Sequence, residues 1–227
     1  MTLPQPLFAD RGEAGRLLAE RLAGRVLGNV VVYALPRGGV PVAFEIAQAL
    51  DAPLDLALVR KIGAPGNPEL ALAAVVDGEH PHVVVNEAVR RATGASPAWL
   101  EQEGARELAE IERRRRLYFG GRTRPDPKGR TAIVVDDGLA TGATARAAIR
   151  GLRGQGVARI ILAVPVGPRD MAAQIRTEVD EFVCLAEPER FWGVGGFYAD
   201  FRQLTDEDVL RQLDRASGFG VASPPGG

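Results

Sequence analysis

The residues with the clearest chemical content stand in one stretch, Ile133-Val134-Val135-Asp136-Asp137-Gly138-Leu139-Ala140-Thr141-Gly142-Ala143-Thr144. An apolar strand ends in two adjacent carboxylates, and a turn of small residues and threonines then opens a helix. In an open α/β sheet, ligands bind beyond the carboxyl ends of the strands. A helix N-terminus with free N–H groups and small side chains receives an anion. Gly142 lets the backbone approach closely, and Thr141 and Thr144 add hydroxyl donors. The stretch therefore fits one phosphate. It carries neither Gly-Lys-[Ser/Thr] nor Gly-x-Gly-x-x-Gly, so it is neither a Walker A loop nor a dinucleotide fingerprint. Two acids ahead of a phosphate cradle fit a sugar phosphate. The carboxylates accept hydrogen bonds from vicinal hydroxyls while the cradle holds the phosphate, and they favour a divalent cation nearby. The bland alternative is an acidic turn that merely caps a helix.

Two basic segments follow other strands. Leu35-Pro36-Arg37-Gly38-Gly39 offers backbone N–H groups and one guanidinium to an anion. Val59-Arg60-Lys61 ends the second apolar run. Alone, the first reads equally as an ordinary strand–turn–helix glycine pair and the second as a solvated strand end. Phe191-Trp192-Gly193-Val194-Gly195-Gly196-Phe197-Tyr198 concentrates aromatic side chains in a chain that is only 6% aromatic. Aromatic faces stack on planar bases, and they also pack small lobes. Arg113 to Arg116 form a basic run whose ordinary reading is a solvated helix end. His80 and His82 have no third ligand near them in sequence, and Cys184 reads as a buried, inert thiol.

The elements that must hold these residues follow from periodicity. Val30 to Leu35 is a continuous apolar run, as in a strand buried on both faces. Helices are predicted over 11–23, with Asp10 as N-cap, and over 40–50, 97–118, 143–155, 169–176 and 206–215. Strands are predicted over 54–62, 131–135, 159–166 and 179–185, with shorter runs at 70–76 and 82–85 forming a hairpin. A Gly/Pro loop is expected up to Pro68. The alternation indicates an α/β fold with a mainly parallel central sheet flanked by helices.

The chain has 227 residues, is 46% hydrophobic and 25% charged, and carries a formal net charge of -1. These values fit a globular domain with a real core and exclude a generally basic nucleic-acid binder. Of the 28 basic residues all but Lys61 and Lys128 are arginine. One cysteine, no apolar run of membrane-spanning length and no signal-like N-terminus set the expectation of a cytoplasmic protein without membrane contact.

The acidic motif resembles the phosphoribosyl pyrophosphate (PRPP) loop of the type I phosphoribosyltransferases: an apolar strand, two acids, a few small residues, then Thr-Gly-x-Thr. Leu35 to Gly39 resembles that family's pyrophosphate loop, and Arg60-Lys61 resembles the Arg-Lys of the adenine and orotate enzymes. The resemblance covers roughly residues 29–185. It implies transfer of the 5-phosphoribosyl group from PRPP to a nucleobase-like acceptor, with Mg2+ as cofactor and release of pyrophosphate. The carried-over catalytic residues are Asp136, Asp137, Arg37 and Lys61. Leu139, Ala140, Thr141, Gly142, Ala143 and Thr144 would bind the 5′-phosphate. Arg37, Gly38, Gly39, Arg60 and Lys61 would bind pyrophosphate. Asp136 and Asp137 would serve the metal through water or ligand.

The family also implies a small hood lobe over the acceptor, here residues 186–216 with N-terminal residues, and Phe191, Trp192 and Tyr198 as acceptor contacts. It implies a mobile lid, for which residues 118–128 lie in the right interval. A single domain over 1–227 with a flexible tail over 217–227 is expected, and a homodimer is the expected assembly. Enzymes for 6-oxopurines carry an acid where this chain has Ala140, which implies poor use of hypoxanthine or guanine. The alternative from the same fold is a non-catalytic PRPP or nucleotide sensor acting on a partner or RNA. A metal-dependent hydrolase is a third reading.

Overall fold

The computed structural model describes residues 6–25, 28–77 and 81–220. In chain order the elements are α1 (Arg11–Leu22), β1 (Val30–Ala34), α2 (Gly39–Leu50), β2 (Leu54–Leu56), β3 (Val59–Ala64), β4 (Asn67–Val76), β5 (His82–Val85), α3 (Glu87–Thr93) and α4 (Pro97–Phe119). They continue with β6 (Thr131–Val135), α5 (Ala143–Gly154), β7 (Arg159–Val166), α6 (Arg169–Ile175), β8 (Glu181–Ala186) and α7 (Asp206–Arg215).

The central sheet is parallel, with strand order β2-β1-β6-β7-β8. β1, β6 and β7 are apolar along nearly their whole length because both faces are covered. Val30, Val32, Ala34, Ile133, Val135, Ile161 and Ala163 pack on one side with α1 and α2. Val31, Tyr33, Ala132, Val134, Ile160 and Leu162 pack on the other with α5. This two-sided burial is the physical reason for continuous rather than alternating hydrophobicity. The α/β class and the flanked parallel sheet expected from sequence are borne out.

Two local expectations are corrected, and one helix is present that the sequence reading did not include. The run 54–62 is not one strand. β2 ends at Leu56, and β3 leaves for a separate antiparallel sheet of order β3-β4-β5. The loop expected up to Pro68 is instead a tight turn between Ala64 and Asn67, with Gly66 at φ +74. The short helix α3, capped by the Asn86 side chain, has no apolar stripe long enough to announce it. The β4–β5 hairpin forms as expected.

The expected lid is also corrected. Tyr118 and Phe119 are the buried end of α4. Arg124 then reaches inward to Asp55 at 3.0 Å and Asp77 at 2.7 Å, and donates to the Leu56 carbonyl at 3.3 Å. Its guanidinium lies 4.1 Å from the Phe119 ring centre, and Arg115 of α4 adds a further contact to Asp77 at 3.2 Å. The segment therefore runs pinned along the edge of β2 to the start of β6. The candidate acids stand at the opposite end of β6. A matched buried ion cluster of this kind holds a segment in place, because separating it leaves uncompensated charge.

Beyond β8 the chain returns across its own beginning. Leu7 and Phe8 donate backbone hydrogen bonds to Phe197, Ala199 donates to Phe8 at 2.9 Å, and Asp200 donates to Ala9 at 2.8 Å. Phe8, Ala14 and Tyr198 form a small buried cluster beneath this pairing. Cys184 is half-buried, its thiol pushed up to about 11 chiefly by burial, in keeping with an inert role. His80 and residues 221–227 of the expected tail lie outside the described residues. Among the described residues no helix is long and apolar enough to cross a membrane.

Candidate functional site

The strand order dictates where a crevice opens. From β1 the chain turns toward β2 at one edge, and from β6 it turns toward β7. The loops after β1 and β6 diverge, and a parallel sheet receives ligands at such a point. Ala34 pairs with Val135 in register, so residues 36–39 and 136–144 emerge side by side.

The two carboxylates stand at this point, both largely withdrawn from solvent. The Asp137 backbone N–H donates to Asp136 Oδ1 at 2.9 Å. Arg11 Nε donates to Asp137 Oδ2 at 2.8 Å. The Tyr198 hydroxyl donates to the Asp137 carbonyl at 2.6 Å. Burial and the adjacent Asp137 raise the Asp136 carboxyl well above the ordinary carboxylate range. Burial raises Asp137 as well, against the opposing pull of Arg11. Desolvated neighbouring acids of this sort bind a cation or hydroxyl donors more readily than they bear their charge alone.

The glycines of the Pro36–Gly39 turn press against this pair. A Cβ on Gly38 would lie 2.1 Å from Asp137 Oδ2, and one on Gly39 would lie 2.5 Å from the Val135 carbonyl oxygen. The Pro36–Arg37 peptide is cis. Arg37 meets Asp206, the first residue of α7, at 3.6 Å, and the Tyr118 hydroxyl donates to the same carboxylate at 2.5 Å.

Past the acids, Leu139 is buried and its N–H donates to the Val166 carbonyl at 2.7 Å. It anchors the loop, and its backbone N–H is not offered to a ligand. Ala140, Thr141 and Thr144 are exposed. Gly142 is the N-cap of α5 at φ +70 and supplies no side-chain cap; the Ala143 N–H reaches Thr141 Oγ1 at 3.5 Å, which leaves the first-turn N–H groups of Thr144 and Ala145 for an anion. Arg146 donates to the Thr141 carbonyl at 3.2 Å and to Glu178 at 2.6 Å, bracing the turn.

The structure does not bring all the basic candidates to this point. Arg60 and Lys61 lie on β3 of the small sheet, not at the end of a central strand. Arg60 Nε donates to Glu107 of α4 at 2.6 Å, and Lys61 stands opposite Ala74 of β4. The aromatic candidates also divide. Tyr198 is 5% exposed and packs between a tilted Phe8 ring and a stacked Phe201 ring, so it supports the acid turn and presents no free face to an acceptor. Phe191 stacks on Phe197, and Trp192 is 87% exposed. The turn carrying them sits over the acids: a Cβ on Gly138 would meet Val194 Cγ1 at 2.5 Å.

Sequence reasoning missed Arg11, Asp206 and Tyr118. Arg11 lies 126 positions from its partner and Tyr118 lies 88 from its own. Neither pairing has a local spacing that announces it. The chemistry available to the assembled residues is recognition of vicinal hydroxyls by the acids, of one phosphate by the α5 turn, and of a second anion by the Arg37–Gly39 turn.

Comparison with known proteins gives the same direction. A family model described as phosphoribosyl transferase domain matches residues 11–202. The fold superposes on the crystal structure of TT1426 from Thermus thermophilus with a TM-score of 0.82 and 43% identity, covering 91% of this chain and 97% of that one. Two Mycobacterium tuberculosis proteins (strains H37Rv and CDC 1551), provisionally named phosphoribosyl transferases, are 49% identical over 210 residues. That match covers 92% of this chain and 47% of theirs. The chain thus spans about half the length of the curated relatives it matches.

Proposed function

The chain belongs to the phosphoribosyl transferase family, and from that premise we propose that it is a Mg2+-dependent enzyme transferring the 5-phosphoribosyl group of PRPP to a nucleobase-like acceptor. The observation that carries this reading is the juxtaposition at the ends of β1 and β6: a desolvated acid pair, a glycine turn pressed against it, and an uncapped helix turn beyond.

In this reading Asp136 and Asp137 accept hydrogen bonds from the ribose 2′- and 3′-hydroxyls. The turn of residues 140–144 holds the 5′-phosphate through its N–H groups and the Thr141 and Thr144 hydroxyls. Arg37 and the Gly38 amide receive the pyrophosphate, while the Gly39 N–H is given to the Leu35 carbonyl at 3.0 Å. The acceptor nitrogen forms its bond to C1 with its own electron pair while the C1–O bond to pyrophosphate breaks. The bonding pair leaves with pyrophosphate, and the acceptor's N–H proton passes to water. Negative charge grows on the leaving group, which the Arg37 guanidinium and the Gly38 N–H stabilise. Holding donor and acceptor in line supplies much of the remaining acceleration.

Among the described residues no cluster of three or more His, Cys, Asp or Glu forms a ready metal nest. Two desolvated carboxylates do fit a Mg2+ whose other oxygens come from the ligand, since this ion keeps waters and favours phosphate oxygens. When bound, Mg2+ neutralises charge on the pyrophosphate. Residues 186–216, with the N-terminal residues paired to them, act as a hood within a single domain, and Phe191 and Trp192 are its acceptor contacts.

A non-catalytic PRPP or nucleotide sensor is the second reading, favoured by the engagement of Arg37 with Asp206 and Arg60 with Glu107. Incubation with PRPP, Mg2+ and single purine or pyrimidine bases, with pyrophosphate release as the readout, separates the two. Base-dependent release establishes transfer. PRPP binding without release for any base overturns it in favour of the sensor.

A further inference from the structure

The cation closest to the acid pair comes from the other end of the chain. Arg11 lies in the first turn of α1 and is 8% exposed. Its guanidinium is fixed on three sides. Nε donates to Asp137 Oδ2 at 2.8 Å, Nη1 donates to the Arg202 carbonyl at 3.0 Å, and the guanidinium carbon lies 3.9 Å from the Phe201 ring centre. Each support is itself held. Arg202 pairs with Asp208 at 2.9 Å, and Asp208 closes the capping box of α7 with Thr205. Phe201 stacks on Tyr198, whose hydroxyl returns to the Asp137 carbonyl. Arg11, Asp137, Tyr198 and Phe201 therefore close a ring of contacts around one carboxylate.

The α1 helix cannot easily shift this group. A Cβ on Gly15 would lie 2.6 Å from the Val42 carbonyl oxygen, so α1 is docked on α2 at close range. The planar fork of arginine is suited to such a fixed, multiply bonded position, and lysine is not equivalent there. With Oδ2 engaged, Asp137 keeps one carboxylate oxygen for a ligand hydroxyl, and its side-chain rotamer is set before any ligand arrives. Pre-setting a binding group lowers the ordering cost of association.

We propose that Arg11 is a positioning residue for ribose-hydroxyl recognition, acting through Asp137. The proposal rests on the PRPP reading above. Its test is calorimetric titration of PRPP with Mg2+ into wild type, Arg11→Gln, Arg11→Lys, Asp137→Asn and the Arg11→Gln/Asp137→Asn double variant, with thermal unfolding of each.

Arg11→Gln loses a charged hydrogen bond, and its PRPP affinity falls about 10- to 100-fold. Arg11→Lys keeps the charge without the fork and falls by a smaller factor, about threefold to tenfold. In the Asp137→Asn background, adding Arg11→Gln changes affinity by less than about twofold, because the path runs through Asp137. A purely structural role gives the same factor in both backgrounds, and that result overturns the proposal. Wild-type affinity in either Arg11 variant also overturns it. Arg11→Lys decides alone if Arg11→Gln fails to fold. Absence of PRPP binding by the wild-type protein overturns the transferase reading together with this one, and that is read from a different sample.

Discussion

Gly38 and Asp137 meet across the crevice so closely that a Cβ on the glycine would fall 2.1 Å from Asp137 Oδ2. Gly38 has φ -58 and ψ -41, which any residue adopts, so the glycine is required by the neighbour and not by the backbone. Gly38→Ala therefore carries a clash with no conformational penalty. It should destabilise by about 1–3 kcal/mol and displace Asp137, weakening PRPP binding beyond what lost stability explains. Thermal unfolding with PRPP titration checks both parts. Unchanged Tm and affinity would mean that the two loops have room to separate.

Asp136 offers a prediction whose sign is opposite to ordinary loss of function. Burial first and Asp137 second raise its carboxyl, so the folded chain binds this proton more tightly than the unfolded chain does. The stability linked to that proton is complete below the ordinary carboxylate range and is lost as pH rises through the folded value. At neutral pH the buried Asp136 carboxyl is a net cost to the fold. Asp136→Asn, which still accepts from the Asp137 N–H, should raise Tm at pH 7, by about 2–4 °C per kcal/mol gained, and lose PRPP affinity. The Tm gain should shrink in acid, where the wild type is protonated. A Tm at pH 7 equal to or below wild type contradicts this.

The aromatic residues over the crevice should separate cleanly by variant. Tyr198→Phe removes the donor to the Asp137 carbonyl and should cost about 1 kcal/mol of stability with little change in acceptor KM. Trp192→Ala should leave Tm unchanged, since the side chain is exposed, and raise acceptor KM. The reverse assignment of effects would return Tyr198 to the acceptor site.

Arg124→Met strands Asp55 in a buried setting and leaves Asp77 to Arg115 alone, and should cost about 3–5 kcal/mol. Turnover measured well below its Tm should stay near wild type, because Arg124 is held at the edge of β2 and touches neither acid of the crevice. Loss of turnover at full folding would restore that segment as a lid.

Ala140 bears on acceptor choice. It stands where the resembling 6-oxopurine enzymes carry an acid, and it is exposed beside the phosphate turn. Hypoxanthine and guanine should be poor acceptors beside adenine or a pyrimidine in a pyrophosphate-release assay. Robust turnover of either contradicts this.

The sheet was legible because burial on both faces writes an unbroken apolar run, as in Val30 to Leu35 and Ile160 to Val166. The acid turn and the glycine turn were legible because each is local: a strand end, then small residues, then a helix. The split at Leu56 was not, since β2 and β3 are both apolar and only their partners differ. Arg124 was misread for a related reason. Glycine and proline around it signal a loop, but its carboxylate partners, Asp55 and Asp77, lie 69 and 47 positions away. Tyr198 looked like a stacking platform from composition. Its burial between Phe8 and Phe201 depends on a pairing between the two ends of the described chain.

That end-to-end pairing sets an order on maturation. During synthesis Arg11 leaves the ribosome first, its carboxylate partner emerges 126 residues later, and the segment that closes over both follows only near residue 198. A nascent chain halted after β8 would already carry every strand of the central sheet, yet its acid pair would lack Tyr198, Phe201 and the Arg202 carbonyl. Contacts of such long sequence separation form late because loop closure must precede them. Within residues 6–220 the acid pair is therefore enclosed only after every strand of the central sheet has been made, and a chain halted at that stage carries the sheet around an unassembled centre.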